Sequence, residues 1–195
     1  MSTSATPNGA EPIGTLSASG SFTGKVRHVK IASGYAANIF TGDFVKMVSG
    51  GTCERSAITT TVPTGTVGVF QGCSYTDATT KQLTFSAIWP TGMVASDAVA
   101  YVLDDPFLTF KMQGDGSLTA AKIGLNCSGI NTTGDTSIGR SKNALDASSA
   151  AATNTLPFRI LELVDGPDSA AGDAYTDAIV TWLPGKHAYL TILGV

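Results

Sequence analysis

An all-β fold is what this chain predicts: a barrel or sandwich of short antiparallel strands, with one short helix and an extended N-terminal arm. Three observations lead there. Gly, Ala, Ser and Thr supply 90 of the 195 residues, and Gly, Ser and Thr favour turns and strands over helices. Short runs rich in Val, Ile, Thr, Phe and Tyr recur about every ten residues, punctuated by Gly, Pro and Asp, as in all-β sandwiches and barrels. A single stretch reads as helical, and it is barely two turns long.

Residues 1–24 hold Ser, Thr, Gly, Ala and Pro with one acidic residue, Glu11. Such a segment has little to bury and reads as a flexible arm. Residues 25–195 read as a single β-rich domain; a lobe division, if the domain has one, falls near 114–155. VKIA (29–32) opens the strands and a turn-rich SGYAAN follows. In DFVKMV (43–48) apolar residues alternate onto both faces, and Gly50-Gly51 supplies the positive φ of a hairpin into CERSAITTTV. GTVGVFQGCSY (65–75) and KQLTFSAIW (81–89) flank a polar TDATT loop. AVAYVLD and FLTFKMQ flank Asp105-Pro106, a corner, because proline cannot donate to a ladder.

Ser117 is placed to cap a helix over about 117–124, with Gly124 as its left-handed C′ residue. NALDASSAAAT (143–153) lacks an apolar stripe and reads as loop or extended chain. In FRILELV, strict alternation puts Phe158, Ile160, Glu162 and Val164 on one face and Arg159, Leu161 and Leu163 on the other. TDAIVTWLPG (176–185) and AYLTILGV (188–195) read as the last strands.

The chemistry-bearing residues are sparse. A net charge of −3 and 12 scattered basic residues offer no phosphate-binding face, so no nucleic-acid partner is expected. No apolar run approaches the roughly 18 residues of a membrane span. The N-terminus lacks the basic and apolar regions of a signal peptide, so synthesis in a cytoplasm is expected. Cys53, Cys73 and Cys127 form no ligand cluster and read as small buried hydrophobes, with a Cys53–Cys73 bridge open if the mature protein is extracellular. His28 reads as part of a solvated strand face, and His187, after a Pro-Gly turn, reads the same way. Asp104-Asp105 and the aspartates of DGPDSAAGDAYTD read as turn formers. Neither a nucleophile elbow, a phosphate loop nor a dinucleotide fingerprint is present. No enzyme, cofactor or metal site is expected. Trp182 reads as core, and Trp89 as core or interface anchor.

Several strings carry a family resemblance: Gly42-Asp43-Phe44-Val45-Lys46, Val67 to Asp77, Ile88-Trp89-Pro90, Asp104-Asp105-Pro106 with Phe110 to Gln113, and Phe158 to Asp165. In this order, over roughly residues 30–175, the chain resembles the capsid decoration (cement) and small head structural proteins of tailed bacteriophages. Phe44 stands where the family often has Pro, and the chain beyond Trp182 departs from the pattern.

The resemblance implies a non-enzymatic protein of the virion's outer capsid surface. It would bridge major capsid subunits and stabilise the expanded icosahedral shell against internal DNA pressure. It also implies self-association, as a homotrimer ahead of a dimer. A phage tail, fibre or head-fibre component contacting the host surface is the alternative. The interface residues expected on this reading are Ser4, Thr6, Pro12, Ile13, Leu16 and Phe22 in the arm, Trp89 and Pro90 at a strand end, and Tyr189 and Leu190 in the apolar C-terminus. The arm would order on the capsid or extend a neighbouring sheet edge.

Overall fold

The computed structural model describes residues 3–17, 24–59 and 65–191. In chain order the strands are β1 (Glu11–Thr15), β2 (Val26–Ile31), β3 (Ile39–Phe40), β4 (Phe44–Met47) and β5 (Thr52–Arg55). There follow β6 (Thr66–Thr76), β7 (Leu83–Ser86), β8 (Ile88–Trp89), β9 (Val99–Leu103) and β10 (Leu108–Gln113). The last are β11 (Asn126–Cys127), β12 (Gly129–Ile130), β13 (Ala144–Leu145), β14 (Phe158–Leu163) and β15 (Asp177–Trp182). Helical structure among the described residues is limited to three-residue 3₁₀ turns at Ala120–Lys122, Ala147–Ser149 and Ala188–Leu190. The fold is all-β.

Strands β4, β5, β2, β9 and β6 pair in that order, and β4 pairs again with β6, closing a small barrel; β7 extends from the far half of β6. Ladders are antiparallel except β2–β5, which is parallel. The eleven residues of β6 let one strand serve both roles: Thr66 to Val69 pair with β4, and Cys73 to Thr76 pair with β7. At Gly68 the backbone of β9 comes so close that an added Cβ would lie 1.9 Å from the Leu103 carbonyl oxygen. Val29, Ile31, Val45, Val67, Phe70, Cys73, Ala100 and Val102 fill the barrel, with Trp89 and Ile39 from the β3–β8 pair.

A second sheet, ordered β1-β10-β15-β14-β11, packs on the outside of this barrel. The junction is aromatic. Phe44 meets Phe110, Phe158 and Trp182 at centroid distances of 5.4, 5.3 and 5.0 Å. The pairs with Phe110 and Trp182 are edge-to-face and that with Phe158 is tilted; edge-to-face pairs contribute about 0.5–1.5 kcal/mol each beyond area burial. Val45, the next residue, points into the barrel. The two apolar faces expected of DFVKMV therefore serve two different cores, and Phe44, with Val69 and Leu103 from the neighbouring barrel strands, joins the barrel to the second one. The β4–β5 hairpin turns through Gly51 at φ 70°, as the Gly-Gly pair predicts.

Five expectations need correction. Residues 3–17 do not wait for a partner: β1 is an edge strand paired with β10, and Ala10, 2% exposed, donates its N–H to the Gly42 carbonyl. The 117–124 helix shrinks to the Ala120–Lys122 turn, with Thr119 rather than Ser117 at its N-cap and no side-chain cap. Two turns without a buried stripe cannot hold an α-helix. The final strand is replaced by the Ala188–Leu190 turn, with residues 192–195 outside the described residues. In β14 a register shift between Ile160 and Glu162 interrupts the alternation, so Leu163 joins Phe158 and Ile160 in the core while Glu162 turns outward. Finally, His187 is fully buried.

Candidate interaction surface

The corner at Asp105-Pro106 is built by its own aspartate. The Asp105 carboxylate accepts from the Phe107 N–H at 2.8 Å, and its other oxygen accepts from the Thr15 hydroxyl at 3.1 Å. The Leu16 N–H donates to the Phe107 carbonyl at 2.8 Å. These bonds lock the end of β1 to the β9–β10 corner and push Leu16 and Phe107 into solvent, 53% and 48% exposed. Together with Pro106, Leu161, Leu183 and Leu190 they line an apolar groove of about 260 Å³. Arg159 stands on its wall, its Nε donating to Asn126. The Trp182 indole N–H, at the same wall, is buried without a hydrogen-bond partner among the described residues.

The C-terminal segment reaches this groove because two polar contacts pin it. His187 Nε2 lies 2.7 Å from the Val67 carbonyl, and Nδ1 accepts from the Tyr189 N–H at 3.2 Å. Burial pushes the His187 imidazole below its ordinary pKa, against the opposing pull of Asp104 and Asp105. The Tyr189 hydroxyl donates to Asp104 at 2.9 Å, the same carboxylate oxygen that pairs with Arg27. The Arg27 guanidinium also lies over the Tyr189 ring, 5.4 Å from its centroid. Burial, then the Asp104 bond, raises the Tyr189 pKa.

A second exposed apolar feature lies on β7, whose pattern is inverted. Thr84 and Ser86 sit opposite the buried Tyr75 and Cys73, while Leu83 and Phe85, opposite Thr76 and Ser74, face solvent at 60% and 70% exposure. Period-two reasoning would put the apolar pair inward.

Among the expected interface residues, the fold brings Leu16 and Leu190 into one groove, with Tyr189 beside it at the Asp104 contact. Ile13 is exposed and Pro12 half-buried on β1. Ser4 and Thr6 are exposed away from the groove, and the Thr6 N–H donates to Gln113. Phe22 lies outside the described residues. Trp89 is wholly buried in the barrel core, edge-on to Tyr75, and so is no surface anchor; Pro90 beside it is half-buried. Phe107, Leu83 and Phe85 escaped sequence reasoning. For Phe107 the signal was its place directly after the Asp-Pro corner.

The buried polar groups serve the fold. The Asp43 carboxylate accepts from Ser141 (2.6 Å), Asn143 (3.0 Å) and the Phe40 N–H (3.0 Å), and Arg55 Nε lies 3.0 Å away. It ties the 135–143 loop to the barrel. Burial raises the Asp43 pKa, with Arg55 and these bonds opposing. All three cysteines are free and buried, each thiol pushed up to about 12 by burial. Among the described residues no group of three His, Cys, Asp or Glu side chains could hold a metal ion, and no helix is long and apolar enough to cross a membrane. Comparison with protein-family models, curated proteins and solved structures gives no match.

Proposed function

We propose that this chain is a non-enzymatic capsid decoration protein of a tailed bacteriophage. It binds the outer surface of the expanded shell and bridges major capsid subunits. The motif resemblance supplies the family. The observation that carries an interaction role is the exposed groove between Leu16, Phe107 and Leu190, where the end of β1, the β9–β10 corner and the C-terminal segment meet. Exposed apolar surface that gathers in one concavity marks a contact site. With 14% charged residues, the surrounding surface loses little hydration when covered. A capsid surface segment with apolar side chains is the ligand this groove fits. Modest affinity per copy suffices, because linked contacts on a lattice act through effective concentration.

The test is co-sedimentation with expanded capsids lacking the chain. Wild type should bind saturably, and the double variant Leu16→Asp/Leu190→Asp should bind at least about ten-fold more weakly, as expected for charge placed at an apolar contact. Undiminished binding by the variant removes the groove from the account. Failure of the wild type to bind removes the capsid reading.

A further inference from the structure

The edge of β7 carries information that the groove does not. The Asp77 N–H donates to the Gln82 carbonyl at 3.0 Å, which makes this a hydrogen-bonded pair. Antiparallel ladders alternate, so Tyr75–Thr84 and Cys73–Ser86 are the next bonded pairs. Leu83 and Phe85 then aim their N–H and C=O groups away from β6. The Thr76 N–H agrees: opposite Leu83, it donates to Asp97 at 3.1 Å instead. Among the described residues nothing hydrogen-bonds the outward groups of Leu83 and Phe85.

Edge strands are normally blunted by charge, proline or bulges. The free edge at β1 follows that rule, with Glu11, Pro12 and a register shift between Pro12 and Gly14. β7 has none of these. Its register with β6 is regular, its sequence is LTFS, and its solvent face carries the two large apolar side chains.

We propose that β7 pairs antiparallel with β7 of a second copy about a two-fold axis through Thr84. The free backbone groups fix this register, because Leu83 and Phe85 flank Thr84 symmetrically. Leu83 of each copy would oppose Phe85 of the other and exchange backbone bonds with it, so all four side chains form one apolar stripe. Gln82 would oppose Ser86, and Lys81 would oppose Ala87, so no like charges meet. A strand without charge can approach its own copy free of the repulsion that opposed like charges create. The two-fold arrangement uses the same patch on both copies. A ring of three would instead need a second, complementary open edge, which the protected β1 does not offer; the pairing therefore favours a dimer over a trimer.

The contact stands independently of the capsid reading and is tested on the full chain. The axis places the Thr84 positions in a non-hydrogen-bonded pair with Cα atoms about 4.5 Å apart, within disulfide reach. Sedimentation should show a concentration-dependent dimer. Under mild oxidation Thr84→Cys should form a disulfide-linked dimer, while Gln82→Cys should not; the native thiols are buried and stay silent. Phe85→Lys, at an exposed position, should keep its circular dichroism spectrum and weaken the dimer at least about ten-fold. The proposal is overturned if Thr84→Cys stays unlinked and the chain stays monomeric, if Gln82→Cys links as readily as Thr84→Cys, or if Phe85→Lys dimerises like wild type. A dimer that ignores capsids leaves this pairing intact and removes the capsid reading. A capsid-binding chain that never cross-links does the reverse.

Discussion

His187 shows how a single residue can be misjudged from its neighbours. The sequence around it, Pro-Gly-Lys-His, describes a solvated turn, yet the ring lies under the barrel wall because its partner, Val67, is 120 residues away. The Val67 carbonyl can only accept and the Tyr189 N–H can only donate, so the ring is held neutral with its proton on Nε2. A proton added at Nδ1 would face another donor. Burial lowers the folded-state pKa below the ordinary 6.5, so the unfolded chain takes up the proton first. The stabilisation is complete above pH 6.5 and is lost as pH falls from there toward the folded value. Denaturation between pH 7.5 and 5 should show stability declining by at most about 1.4 kcal/mol per pH unit from this group. His187→Gln, which keeps an N–H for Val67, should flatten that decline. An unchanged slope would mean that the ring does not govern it.

Among the elements, those set by local pattern were legible and those set by distant partners were not. The β4–β5 hairpin, the Asp105-Pro106 corner and the long β6 follow from alternation, glycine and proline. The bulge that turns Leu163 inward, the inverted β7 and the pairing of β1 depend on neighbouring strands that no short window contains. The groove was half legible: Leu16 belongs to the expected partner-binding arm and Leu190 to the apolar C-terminus, while Phe107 is pushed outward by a corner whose bonds reach back to Thr15 and Leu16. β1 makes a direct prediction. A free arm could be removed without consequence, whereas this one covers the edge of β10 and buries Ala10. Deleting residues 1–17 should lower Tm by about 2–8 °C, as a loss of about 1–2 kcal/mol does in a domain of this size. An unchanged Tm would mean that the segment contributes no stability.

At the scale of the molecule, the sparse charge and abundance of small residues acquire a physical use. Two cores share one aromatic junction at Phe44, polar groups such as Asp43 and Asp104 are spent on tying loops and the C-terminal segment to the barrel, and exposed apolar side chains line the Leu16 groove and the β7 edge. Such a body suits covering and linking other surfaces. Its two contact features lie on different sheets, which would let one copy bind a shell and a neighbour together. The reading as a shell protein rather than a tail component turns on number, since a decoration protein repeats with the lattice and a tail component does not. The direct measurement is the ratio of this chain to the major capsid protein in purified virions, by quantitative gel or mass spectrometry. The account predicts copies comparable in number to the major capsid protein; a handful per particle, or none, would contradict it.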